Sequence, residues 1–325
     1  MIDIEFVHLR KGTEEGKMIS TKTYNQIKTW VYRNARDLEL SIWKYYFEKG
    51  SKDDILTALS HYQNEDGGFG NSLEPDNWNA NSTPYTTLYA ISILNDIGYI
   101  DVSHPIYKGI LKYLHSEQDL MEYGWRFCVP SNDSFPHAPW WNFNEEANLT
   151  ESIGVTAGLS IFVLKYADKG SRLYQKATAL VKNLMNNLMT GNNFGDMGIG
   201  GYVELLDALR VLGINEYDNT SLQLRLNELV KNSIQHDISK WQYYGVRPSN
   251  YIKGPQSIYY NDNKDIVEQE LYYLIETLPP NDVWGITWTW FDNNSKYAKE
   301  FAISENWWKT IKAIEKMRFL KSFGY

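Results

Sequence analysis

The 325-residue chain contains one cysteine, Cys128. That excludes an intrachain disulfide and a cysteine-rich zinc site. No run of Lys and Arg stands out, and the net charge is −8. Nucleic acid is therefore not an expected partner, because phosphate binding needs clustered cations. The histidines show no His-x-x-x-His spacing and no pairing with nearby acids, so neither a metal nor another cofactor is expected. The opening MIDIEFVHLRKG is too short in apolar residues, and too acidic, for a signal peptide. No window of about 20 residues reads as apolar enough to span a bilayer. A cytoplasmic protein with no transmembrane segment is the expectation, and its oligomeric state is open.

Strands and linkers are scarce too. No alternating pattern matches the helical ones in strength, and no Pro/Ser-rich stretch divides the chain. Residues 1–20 read as an N-terminal extension and 21–325 as one all-α domain. Helices are expected over 23–48, 51–62, 84–98, 103–114, 150–167, 171–189, 199–212, 220–235, 264–278 and 304–321. Their punctuation is explicit in places. Ser51 with Asp54 three residues on resembles a capping box. Thr83 is an N-cap candidate followed by Pro84, which suits a first helical turn.

Aromatic residues are abundant, at 15% with 12 Trp and 24 Tyr. Each ring can bury roughly 150–250 Å², so this content implies a very aromatic core or an aromatic-lined cavity. Aromatic-glycine turns recur at Phe69, Trp125, Phe194, Trp241 and Trp284. Their separations of 56, 69, 47 and 43 residues, by subtraction, match a helical hairpin plus loops. Units of that size must stack on neighbours to bury their apolar faces. The recurring turns should then gather at one end of the stack, where a cavity would open.

The most regular copy is HYQNEDGGFGNSLEPDNW, His61 to Trp78. Gln63, Asp66 and Phe69 read as structural, satisfying helix ends. Glu74 and Asp76 are the functional candidates. They flank Pro75, which fixes its own φ and restricts Glu74, and two carboxylates held that close raise one pKa if shielded from water. Such a pair can supply a general acid. The plainer alternative is that one of them caps the helix near Pro84.

Between Tyr123 and Phe143 seven of 21 positions are aromatic. Here His137, Trp140 and Trp141 are candidate ligand contacts, although a lone histidine is commonly just a hydrogen-bonded polar group. Glu151 reads as a cap of the helix it begins, or as a third catalytic carboxylate if that end faces the pocket. Trp78, Trp125, Trp284, Trp288 and Trp290 complete the candidate lining. The last three alternate rather than follow one helical face, as in a loop along a cavity wall.

The segment from Gln63 to Gly70 (QNEDGGFG), with its preceding helix, resembles the Gln…Gly-aromatic repeat of squalene cyclases. It is also similar to the Gly-Gly-Phe-Gly repeats of protein prenyltransferase β-subunits. Gln118…Gly124-Trp125 and Asn281 to Trp284 are looser copies. Leu73-Glu74-Pro75-Asp76 and the later Trp284, Trp288 and Trp290 resemble elements of small bacterial members of that superfamily, with similarity running over roughly residues 35–322. The resemblance implies an (α/α) toroid of two concentric helix layers around a pocket. It carries over neither reaction. The Asp-x-Asp-Asp motif of squalene cyclases, the zinc-binding Asp-x-Cys pair of prenyltransferases and the Asp-Asp-x-x-Asp diphosphate motif are missing. Two substrate classes fit aromatic walls with carboxylates. An isoprenoid would be moulded by the rings, its cations stabilised by them, and protonated by an acid. A carbohydrate would stack on Trp between paired carboxylates, as in toroidal glycosidases and lyases. A non-catalytic small-molecule binder is the third reading.

Overall fold

The structure is a computed structural model that describes residues 19–325, so the proposed extension lies almost wholly outside the described residues. Thirteen α-helices account for most of that span, beside one two-stranded ribbon, Leu120–Met121 paired with Gly124–Trp125. The chain is all-α, as its periodicity predicts.

The first five helices are α1 (Thr21–Asn34), α2 (Asp37–Phe47), α3 (Lys52–Ser60), α4 (Pro84–Asp96) and α5 (Pro105–His115). The long central run comprises α6 (Glu145–Tyr166), α7 (Arg172–Thr190), α8 (Gly195–Val211) and α9 (Asn219–Ser233). After the short α10 (Pro248–Tyr251) come α11 (Lys264–Glu276), α12 (Asn293–Lys296) and α13 (Ala298–Ser322).

The anticipated caps are present. Ser51 Oγ accepts from the Asp54 N–H at 3.1 Å, and Thr83 Oγ1 from the Thr86 N–H at 3.0 Å. Neither Glu74 nor Asp76 is needed to start α4. Four boundaries differ from the periodic reading by four residues or more, one being the start of α13 at Ala298 rather than 304. The single helix expected over 23–48 is broken at Ala35 and Arg36, both extended. No Pro or Gly marks the break; the Arg36 guanidinium instead leaves the helix line to bind carbonyls thirty-odd residues away. α6 begins five residues early because Asn144 Oδ1 accepts from the N–H groups of Glu146 and Ala147. With its full length, α6 becomes apolar enough to cross a membrane by length and composition, but most of it is buried inside the fold. α8 begins four residues early, where a side chain from α6 accepts from the Asp196 N–H and Asn193 Oδ1 from the Gly195 N–H.

The aromatic-glycine turns work as clamps. Gln63 Nε2 donates to the carbonyls of Gly67 (2.9 Å) and Ile106 (3.1 Å), tying the turn to the start of α5. Asp66 Oδ1 accepts from the Gly68 N–H and from Ser82 Oγ. The Phe69 N–H donates to Thr87 Oγ1 at 3.1 Å, and the Trp125 N–H to Thr156 Oγ1 at 3.1 Å, one construction used twice. Gly124 must be glycine: its φ is +133°, and a Cβ there would lie 2.1 Å from Thr156 Oγ1.

Packing partners order the helices. α6 lies between α4 and α8, with α7 across it, and α13 packs on both α1 and α2. Near the C-termini of α13 and α4, Arg318 pairs with Asp96 at 2.8 Å, and Lys321 reaches the Tyr46 carbonyl in the last turn of α2. At their other ends, Arg36 before α2 and Ser304 near the start of α13 both bind the loop that precedes α4. These three helices therefore run parallel, with the Glu74–Asp76 loop at their N-terminal end.

Candidate functional site

The loop carrying the two acids is held on four sides. Arg36 donates to the carbonyls of Ser72 (2.6 Å) and Leu73 (3.1 Å), while Glu39 grips the same guanidinium at 2.6 and 2.8 Å. Ser304 Oγ donates to the Pro75 carbonyl at 2.5 Å. The Ala138 N–H donates to the Asp76 carbonyl and the Trp78 N–H to the Pro136 carbonyl, so 76–78 and 136–138 pair as antiparallel backbone. Asn77 and Asn79 join Asn132 in a buried amide network. A loop tied this thoroughly fixes its side chains.

Both carboxylates are buried, each 2% exposed. Asp76 Oδ1 accepts from the Trp290 indole N–H at 2.6 Å, and Oδ2 from the Trp288 indole N–H at 2.9 Å. An indole N–H only donates, so both oxygens are set as acceptors and the pair of rings favours the anion. Burial opposes this and prevails, raising the Asp76 pKa to about 6. Glu74 has no indole donor. Its Oε2 is enclosed and unpartnered. Desolvation, then the neighbouring Asp76 charge, push its pKa well above the usual carboxylate range, against the Asp76 and Asn77 N–H groups and Arg36. One proton shared by the pair thus resides on Glu74, with Asp76 anionic.

Around Asp76 the other candidates separate into distinct settings. Trp290 and Trp141 are buried in one cluster with Ala138, against Trp78, Tyr85 and Phe127. Trp141 stacks on Phe127 with ring centres 4.5 Å apart. Trp78 is half-buried, donates to Ser304 Oγ and stacks on Trp307 at 5.4 Å. Trp288 is partly exposed and packs edge-on against Trp308 and Tyr244. Trp125 and Trp284, expected as lining, belong instead to two separate cores, 0% and 4% exposed. His137 is buried too, with Nδ1 2.6 Å from the Phe135 carbonyl and Nε2 2.7 Å from Asn142 Oδ1; both nitrogens are engaged in holding its own loop. Trp140 stands at the surface beside Phe291.

Glu151 corrects the expectation that it caps its own helix. It lies two turns inside α6 and accepts from the Asp196 N–H at 3.0 Å, capping α8. A Cβ at Gly195 would fall 2.7 Å from its Oε2, so glycine is required at that junction. Burial raises its pKa, the Asp196 N–H pulls the other way, and the Asp196 charge adds to the rise.

Beyond Asp76 lie charged residues of α13 that the sequence pattern did not single out. Half of the Glu315 side chain is exposed, at 51%. Lys312, which pairs with Glu315 at 2.8 Å, also lies over the Trp308 and Trp288 rings at 5.2 and 5.9 Å. Tyr85 and Tyr89 from α4 sit within electrostatic range of Glu74, and Burial raises both phenols well above 10. Glu204 from α8 senses Lys253, and Lys316 senses Arg247. A signal for these residues exists in α13, whose charged positions do not gather on one polar face. Among the described residues no group of three or more His, Cys, Asp or Glu side chains is arranged to hold a metal ion.

Comparison with known proteins finds no matching family model, no matching curated protein and no matching solved structure.

Proposed function

We propose that the helices close into an (α/α) toroid and that its centre binds a polar small molecule of the carbohydrate class. The ring is supported by the parallel course of α2, α4 and α13, by the return of α13 onto α1 and α2, and by the shared construction of the turns at Phe69 and Trp125. One observation carries the ligand class. Trp288 is fixed by Asp76, remains partly exposed, and lies beneath Lys312, the partner of Glu315. A sugar presents apolar faces to an indole and hydroxyls to charged groups, whereas a hydrocarbon would leave those charges unsolvated. In this reading Trp288, Trp308 and Tyr244 form the platform, Asp76 positions the Trp288 ring, and Glu74 keeps the proton of the acid pair.

The isoprenoid reading, which follows from the resemblance to squalene-cyclase and prenyltransferase repeats, is favoured by one feature: an enclosed protonated acid, Glu74, beside Tyr85 and the tryptophan cluster. The test separates the two. Isothermal calorimetry against neutral and acidic oligosaccharides and against polyprenyl alcohols and diphosphates, with Trp288→Ala alongside, should give heat only with the sugars, lost in the variant. Saturable binding of the prenyl compounds alone would reverse the assignment. Silence from every ligand would remove both.

A further inference from the structure

The aromatic-glycine turn at Trp241 is held differently from the clamps at Phe69 and Trp125, because its loop closes on itself. The Gln235 N–H donates to the Val246 carbonyl at 2.9 Å and so joins the loop's two ends. The Trp241 indole N–H donates to the Gln235 carbonyl at 2.8 Å. Between them a turn of 3-10 helix, Ile238–Gln242, is capped by Asp237 Oδ1, which accepts from the Ser239 N–H and hydroxyl at 3.1 and 2.6 Å. Arg247 donates to the Trp241 carbonyl and lies over the Trp241 and Tyr273 rings at 5.9 and 5.1 Å. Compact surface loops with joined ends, packed by their own side chains, are frequently functional.

This loop surrounds a cavity of about 150 Å³, and its whole lining comes from residues 235–247. A space of that volume holds one six-membered ring. Tyr243 and Tyr244 belong to the lining and are 64% and 67% exposed; aromatic rings left in water at a concavity mark ligand sites. Donors line the same space. Gln235 Oε1 is taken by the Asp237 N–H at 2.9 Å, which leaves the Gln235 amide nitrogen to donate. Arg247 has five N–H groups in its fork, more than the Trp241 carbonyl engages, and Lys240 meets Asp237 only at 3.8 Å. Rings and N–H donors around one small space match a pyranose, which has an apolar face and a girdle of oxygens. Tyr244 also meets Trp288 edge-on, with ring centres 6.3 Å apart. The cavity and the Trp288 platform therefore share a wall.

We infer that this cavity is a second sugar subsite, next to the Trp288 platform across Tyr244, and that the ligand is a chain of at least two sugar units. The inference rests on the carbohydrate reading above and narrows it from single sugars to oligosaccharides. Tyr244 sets the register: one unit lies on Trp288, and the next passes the Tyr244 ring into the loop's cavity.

Binding measurements on the full chain test this with glucose, xylose and N-acetylglucosamine, and with the β-linked chains of two to four units of each. Calorimetry reads the chains, and tryptophan fluorescence at millimolar concentration reads the weaker single units. In at least one series the affinity should rise about tenfold or more from one unit to three, a gain of about 1.4 kcal/mol or more. Gly245 lines the cavity, lies outside the left-handed backbone region, and has nothing within 4 Å of a Cβ placed on it. Gly245→Leu therefore obstructs the cavity without straining the fold. In that variant, and independently in Tyr243→Ala, with the fold checked by circular dichroism, the gain should drop below about threefold while single-unit affinity stays within about twofold of wild type. Equal affinity for single units and chains in the wild-type protein overturns the second subsite and leaves the carbohydrate reading intact. A chain-length gain that survives both substitutions overturns its placement in this loop. No binding of any sugar overturns the carbohydrate reading and the subsite with it.

Discussion

The Trp290 indole N–H donates to Asp76 Oδ1 at 2.6 Å, across 214 residues of sequence. This bond joins the loop before α4 to the loop before α12 inside a buried aromatic cluster. Trp290→Phe keeps most of the ring volume but removes the donor. A hydrogen bond to a charged group contributes about 1.5–3 kcal/mol, so a loss of about that size is expected in urea unfolding. The Asp76 pKa should rise further, visible as a steeper fall of stability towards neutral pH. A change under about 0.5 kcal/mol would mean that water takes over the indole's role.

Asp76 gives a pH signature with a definite sign. Its pKa is raised in the folded state, from 3.8 to about 6, so the fold binds this proton more tightly than the unfolded chain. The stabilisation is complete below pH 3.8 and is lost as the pH rises through 6. It amounts to about 3 kcal/mol. The difference in unfolding free energy between wild type and Asp76→Asn should therefore fall by about that amount between pH 3.5 and 7.5. Parallel pH profiles would show that the carboxylate titrates as it does unfolded.

Glu74→Gln imitates the protonated acid. At pH 8 the variant should be at least as stable as the wild type, and its stability should depend less on pH, by the same sign argument. Glu74→Ala, which empties a buried site, should lose about 2 kcal/mol. If Glu74→Gln costs more than about 2 kcal/mol at pH 8, Glu74 is ionised and partnered, and the proton assignment fails.

Gly124 and Gly213 both have positive φ, yet only the first is crowded: nothing lies within 4 Å of a Cβ placed on Gly213. Alanine at 213 should cost roughly 1–2 kcal/mol, the strain of the left-handed backbone. Alanine at 124 adds a clash with Thr156 and breaks the Trp125 clamp, so a loss of about 3 kcal/mol or more is expected. Thermal melts of the two variants, compared in one buffer, decide this; equal shifts would show that the turn yields.

What could be read from the sequence was whatever is local. Ser51 and Thr83 announce their caps, and glycine turns announce helix ends, because those interactions close within three or four residues. The break at Arg36 was invisible, since its cause lies at Ser72 and Leu73. Glu74 and Asp76 stood out through the stiff Pro75 between them, but nothing nearby reveals that two tryptophans from residues 288 and 290 bind Asp76. Trp125, Trp284 and Trp288 have the same composition signal and different fates, decided by packing partners far along the chain. Charges on a helix ordinarily mark a solvated face, yet Lys312 of α13 lies over the Trp288 and Trp308 rings.

The seam between α13 and the earliest helices has a consequence for biosynthesis. Ser304 ties down the Pro75 carbonyl, and Trp288 and Trp290 complete Asp76, so the acid loop is translated more than 200 residues before its closing partners. Until those partners leave the ribosome, a hydrophobic cleft stands open where α13 will lie against α1 and α2. The nascent chain therefore offers chaperones a defined target, and a premature stop anywhere before α13 leaves a product missing one wall.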